Sequence, residues 1–125
     1  MDTSAWVDFL GGEKSAVSRV GKLLAAGAAV ICGPVSAELL SGARTSGEYA
    51  ILKELGEGLD WLPDPAGAWN RVADYRFALA RAGFLAGLVD ILIAITAFDA
   101  GLTLLTRDRD FARIRTVVPI ELDLF

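Results

Sequence analysis

The chain has 125 residues, 54% of them hydrophobic, which predicts one packed domain spanning residues 1–125. Its formal charge of −4 excludes binding of nucleic acid through bulk positive charge, so such a partner would require local arginines or bound cations. One cysteine and no histidine exclude an internal disulfide, Ser-His-Asp catalysis and most zinc sites, and they favour a reducing, cytoplasmic location.

The hydrophobic pattern alternates between helical and strand-like segments. In chain order it predicts helices at 2–10 and 13–26, a buried strand at 28–32, helices at 33–43 and 47–59, a turn or short edge strand at 61–63, helices at 66–82 and 88–100, a strand at 102–106, a short helix at 108–114 and a last strand at 117–122. Pro119 places that last strand at a sheet edge. The stripe of Trp69, Val72, Tyr75 and Leu79 is interpreted mainly as core. This order indicates an α/β fold with a mainly parallel sheet of about four to five strands, and no segment is expected to span a membrane.

Four acidic residues lie near the starts of predicted helices: Asp2, Glu38, Asp90 and Asp108. Strand-to-helix junctions of a parallel sheet gather at one edge, so these side chains are expected to converge. Asp90 lies in an apolar helix, where an ionised carboxylate is costly unless it is paired or bound to metal. For Asp2 and Asp108, helix capping is an equally good explanation, and Glu38 is equally well an ordinary residue at the border of an apolar face.

A cluster of carboxylates suits a hard divalent cation. Carboxylates that are brought together repel one another unless cations neutralise them. Oxygen donors without histidine or thiolate favour Mg²⁺ or Mn²⁺. Such ions clamp a phosphodiester, generate hydroxide from water and stabilise the leaving oxygen. The composition is therefore compatible with metal-dependent phosphodiester hydrolysis.

Four blocks occur in order along the chain, at 1–9, 35–42, 87–94 and 101–111. The first block reads Asp-Thr-Ser-Ala-Trp-Val-Asp after Met1, and the second is a glutamate-containing helix with a trailing glycine. The third contains Asp-Ile-Leu-Ile-Ala, and the fourth reads Gly-Leu-Thr-Leu-Leu-Thr-Arg-Asp-Arg-Asp-Phe. Together they resemble the PIN-domain family and, within it, the VapC-type toxins. That family usually has an apolar strand before its first aspartate, whereas only Met1 precedes Asp2 here. Either this strand is very short or the true start lies upstream.

The resemblance implies an α/β/α sandwich and assigns roles to individual residues. It implies that the metal-binding and catalytic acids are Asp2, Glu38, Asp90 and Asp108. Asp110 would hold a second metal or a bound water, and the hydroxyls of Ser4 and Thr106 would orient carboxylates or water. Asp8 is expected to be a surface acid of the first helix.

The resemblance also implies an activity and partners. The activity would be Mg²⁺- or Mn²⁺-dependent endoribonuclease cleavage of structured RNA such as tRNA. The partners would be a VapB-type antitoxin and a second copy of the chain, in a heterotetramer or larger assembly. Two alternatives are a PIN-like binding scaffold without catalysis and a phosphoacceptor signalling domain, although the latter requires a late lysine and none follows Lys53.

Four arginines surround the last acids: Arg107, Arg109, Arg113 and Arg115. Either they contact RNA phosphates beside the metal, or they balance Asp108 and Asp110 on a solvated surface.

Overall fold

The computed structural model describes residues 1–125, along which helices alternate with short strands. The helices are α1 (Thr3–Leu10), α2 (Lys14–Ala25), α3 (Gly33–Ser41), α4 (Ser46–Glu57), α5 (Ala68–Arg81), α6 (Leu88–Ala100) and α7 (Asp110–Ile114). The strands are β1 (Val30–Cys32), β2 (Asp60–Leu62), β3 (Leu104–Thr106) and β4 (Leu122–Leu124). The α/β class expected from the sequence is confirmed. No helix is both long enough and apolar enough to cross a bilayer.

The helix ends follow from local chemistry. The side chain of Asp2 caps α1 by accepting from the amide of Ala5, and that of Glu13 caps α2 by accepting from two amides of its first turn. Pro34 lies in the first turn of α3, where its missing N–H costs nothing. α6 ends at Gly101, whose φ of 66° lies in the left-handed region that favours glycine.

The strands form two parallel pairs, β1 with β2 and β3 with β4. The amide of Asp2 donates to the carbonyl of Leu105 at 3.1 Å, and Met1 lines a small cavity with residues of β1 and with Leu104. The first two residues therefore lie between the two pairs. The carboxyl end of β1 leads directly into α3, and that of β3 leads into the loop before α7.

The core is centred on α6, in which every residue from Ile91 to Ala97 is buried. This helix packs against α3, α5 and α7. Trp6 and Phe111 are fully buried, and Cys32 is a buried free thiol. Because the buried stretch of α6 begins directly after Asp90, the core fixes the position of that residue.

Two sequence predictions about packing are wrong. The last strand was expected at 117–122, but pairing begins only at Leu122, because Pro119 has no N–H to donate to a neighbouring strand. Val118 and Ile120 nevertheless reach the core, which explains the apolar pattern that suggested a strand. Trp69 is 63% exposed rather than core, because it occupies the first turn of α5, and of the stripe only Val72 and Leu79 are buried while Tyr75 is partly buried.

Candidate active site

Asp2 is buried and held from several sides. Its Oδ1 accepts from the hydroxyl of Ser4 at 2.8 Å and from the amide of Ala5 at 3.3 Å. Burial is the largest effect on the pKa of Asp2 and raises it above the ordinary value, while the hydroxyls of Ser4 and Thr106 act in the opposite direction. Asp2 therefore caps α1 and also lies at the centre of a polar network.

The hydroxyls of Ser4 and Thr106 link the start of α1 to the loop after β3. Their oxygens are 3.2 Å apart, and because Ser4 donates its proton to Asp2, Thr106 is the donor between the two. The Thr106 oxygen in turn accepts from the amide of Asp108 at 2.9 Å. The amide of Asp110 donates to Oδ1 of Asp108, also at 2.9 Å. One chain of hydrogen bonds thus connects the first and last acids of the sequence prediction.

Glu38 is an exposed residue of α3, in its second turn rather than at its start. Its Oε1 accepts from the hydroxyl of Thr3 at 2.7 Å, across 35 positions of sequence. Thr3 was not among the predicted site residues. Its place between Asp2 and Ser4 in the Asp-Thr-Ser block is the feature of the sequence that could have identified it.

Asp90 lies in the first turn of α6 and is partly buried. Burial raises the pKa of its carboxyl to about 6, with further contributions, in decreasing order, from the charges of Asp108, Glu38, Asp2 and Asp110. No lysine or arginine forms an ion pair with it.

Four other acids act on the pKa of Asp90 through their charges, an effect that weakens with distance. The five acids belong to the N-terminus, α3, α6, the loop after β3 and the first residue of α7. No three acidic side chains are close enough together to form the ligand set of one ion in this arrangement. The chemistry of the donors still fits Mg²⁺ or Mn²⁺, since all are carboxylates and mutual repulsion opposes the ionisation of Asp90.

The arginines near these acids differ in their contacts. Arg107 pairs with Asp8 and Glu13 rather than with its neighbours in sequence, at 2.7 and 3.2 Å. Asp8, expected to be a surface acid, is therefore partly buried and paired. Arg113 lies over the ring of Phe84, 5.0 Å from its centroid. The two remaining arginines, Arg109 and Arg115, are exposed and form no ion pair.

A groove between α1, α3 and α4 adjoins the acids and has a volume of about 350 Å³. Its lining includes the apolar side chains of Val7, Leu10, Leu39 and Leu52, and Glu38 lies at the same groove. Val7 is 55% exposed and Leu10 is 47% exposed, so part of this apolar lining faces solvent.

The model of the PIN domain family matches residues 1–117, a range that contains all five acids. The chain belongs to the PIN-domain family. The resemblance inferred from the four sequence blocks is therefore confirmed.

Among PIN-domain relatives, the VapC ribonuclease Mb1587 of Mycobacterium bovis and the ribonuclease VapC11 of Mycobacterium tuberculosis are each 35% identical to this chain. Both alignments extend over 126 positions and cover 97% of this chain and 94% of the relative.

A solved structure has the same PIN-domain fold. It is VapBC2 from Rickettsia felis bound to a DNA fragment from its promoter, and it is similar to this chain with a TM-score of 0.73. The match covers 98% of this chain and 94% of the other, at 22% sequence identity. At this level of identity the similarity establishes the fold.

Proposed function

We propose that this PIN-domain protein is a Mg²⁺- or Mn²⁺-dependent endoribonuclease and the toxin of a VapBC-type toxin–antitoxin pair. The observation that carries the proposal is the hydrogen-bond network that links Asp2 to Asp108 through Ser4 and Thr106, and the raised pKa of Asp90 supports it. The similarity to VapC ribonucleases over nearly the whole chain supports the same reaction.

We infer that four carboxylates would come together around the metal when it binds, with Asp110 as a further ligand or the holder of a bound water. The four are Asp2, Glu38, Asp90 and Asp108. When bound, Mg²⁺ or Mn²⁺ supplies electrophilic activation of the phosphodiester and of a water. The protein fixes the ligands: Ser4 orients Oδ1 of Asp2, and Thr3 holds Oε1 of Glu38.

The substrate in this proposal is structured RNA of the tRNA type. Arg109 and Arg115 are exposed and free of ion pairs near the acids, so both are available to phosphates. Local cations of this kind are needed because the chain as a whole is acidic.

The partner in this proposal is a VapB-type antitoxin, which would dock in the groove between α1, α3 and α4. A segment lying there would cover Val7 and Leu10 and would also obstruct access to Glu38. The fold match to a VapBC complex supports such a partner.

A homodimer, and a heterotetramer or larger assembly with the antitoxin, complete the proposal. Exposed apolar residues on and after α5, Phe77 at 67% and Leu85 at 69%, offer a surface for self-association.

Incubation of the protein with a tRNA in Mg²⁺, Mn²⁺ or EDTA tests the activity. We expect cleavage only with metal, and we expect Asp90→Asn to abolish it. The control Asp74→Asn makes the same chemical change at an exposed position of α5 and is expected to leave cleavage unchanged. Cleavage that persists in EDTA, or that survives Asp90→Asn, would contradict the proposal. Calorimetric binding of Mn²⁺ without any cleavage would indicate a binding scaffold instead.

A further inference from the structure

We propose that Arg107 is a positioning residue that anchors the active-site loop between β3 and α7, rather than a contact to RNA. This inference rests on the proposed function, because the loop carries Asp108 and leads directly into Asp110, the first residue of α7.

The guanidinium of Arg107 contacts two acids of the α1–α2 region. Its Nε lies 2.7 Å from Oδ2 of Asp8, and its Nη2 lies 3.2 Å from Oε2 of Glu13. This Asp8 oxygen is buried. Its contact with Nε of Arg107 is an ion pair whose geometry is not that of a hydrogen bond. The Cζ atom also lies 5.3 Å from the ring centroid of Phe125. The guanidinium thus contacts three groups of the protein itself, while 46% of the side chain is exposed.

The backbone of Arg107 contacts the acid network directly. Its amide donates to the hydroxyl of Ser4 at 3.1 Å, the same hydroxyl that donates to Oδ1 of Asp2. The following amide, that of Asp108, is held by Thr106. A displacement of Arg107 would therefore disturb its hydrogen bond to Ser4. It would also move Asp108, the next residue in the chain.

Removal of the Arg107 side chain would leave a buried oxygen of Asp8 without a cation, which is unfavourable. Glu13 would be less affected, because its side chain also accepts from the amides of Ser15 and Ala16 as the cap of α2. Lysine would restore the charge but not the planar fork that reaches both acids at once. Because outer-sphere support is needed to orient metal ligands, a loosened loop would weaken metal binding and turnover.

The test uses full-length Arg107→Ala, Arg107→Lys and Asp8→Asn, with Arg109→Ala as the control from the same loop. Mn²⁺ affinity is measured by calorimetry without RNA, and kcat and KM are measured with a tRNA substrate. We expect Arg107→Ala to reduce Mn²⁺ affinity and kcat by about tenfold each, at the lower end of the 10–100-fold typical of such support, with KM unchanged. Arg107→Lys is expected to recover part of the loss.

The Asp8 variant tests the pairing itself. Asp8→Asn is expected to reproduce most of the loss, and the double variant is expected to be no worse than Arg107→Ala alone, because both changes break one contact. The control Arg109→Ala should retain full Mn²⁺ affinity and raise KM. Hydrogen exchange of the amides of Asp108 and Asp110 should accelerate in Arg107→Ala but not in the control.

Several results would overturn the inference. A higher KM for Arg107→Ala with native Mn²⁺ affinity and native hydrogen exchange would make the residue an RNA contact. Native values throughout would remove any role in the loop. A wild-type protein that binds Mn²⁺ but cuts no RNA would refute the proposed activity alone, and Mn²⁺ affinity and hydrogen exchange would still decide the role of Arg107. If Arg107→Ala does not fold, the lysine variant and Asp8→Asn carry the same test.

Discussion

Replacement of Asp90 by asparagine is expected to stabilise the metal-free protein while it abolishes cleavage. The pKa of this carboxyl is raised from 3.8 to about 6, first by burial and then by the neighbouring acids. A rise of about two units, at about 1.4 kcal/mol per unit, sets an upper bound of about 3 kcal/mol on the cost of ionising Asp90 in the folded state. Because Asp90 is only partly buried and screening reduces the effect, we expect a gain of ~1–2 kcal/mol in the free energy of unfolding at neutral pH.

The sign of the pH dependence follows from the direction of the shift. A carboxyl whose pKa is higher in the folded state favours folding fully below its unfolded pKa. That contribution is lost as the pH rises through the folded pKa. The advantage of Asp90→Asn over the wild type should therefore be largest above pH ~7 and fall to about one third of that value near pH 4.5.

Urea denaturation in EDTA at several pH values measures this difference. Asp74→Asn, the exposed control, should show no comparable gain at any pH. A loss of stability for Asp90→Asn at pH ~7.5, or a gain that does not depend on pH, would refute the reasoning that Asp90 lies in a partly buried, acidic environment. Addition of Mn²⁺ is expected to reduce the difference, since a bound cation favours the ionised carboxylate of the wild type.

Three further predictions concern single side chains. Thr3→Val removes the hydrogen-bond donor to Glu38 while it preserves the shape of the side chain. It is expected to lower kcat of RNA cleavage by about tenfold, with little change in the melting temperature. Trp6→Ala should reduce the free energy of unfolding by about 3–5 kcal/mol, because Trp6 is fully buried. Trp69→Ala should change it by less than about 0.5 kcal/mol. Equal effects of the two variants in urea denaturation would contradict the described core. Gly101→Ala should cost about 1 kcal/mol in the same assay, because the left-handed conformation at the end of α6 strains any side chain, and an unchanged midpoint would argue against it.

Features that depend on neighbours in sequence could be predicted from the sequence. The bounds of α6 were predicted at 88–100 and observed at Leu88–Ala100, since an apolar run and a terminal glycine are local properties. The resemblance to the PIN-domain family likewise rested on short blocks of residues and is confirmed. The same short blocks contain the five acids, whose role as metal ligands stays a prediction.

Features that join distant segments were decided only by the tertiary structure. The contact of Thr3 with Glu38 and that of Arg107 with Asp8 depend on how helices and loops pack, and no local pattern encodes them. The exposure of Trp69 has the same origin, because burial requires partners far along the chain. The sequence by itself determined which chemical groups the protein carries and the order of its helices. Packing determined which of those groups meet, because an ion pair or a shared electrostatic environment exists only once the chain has folded.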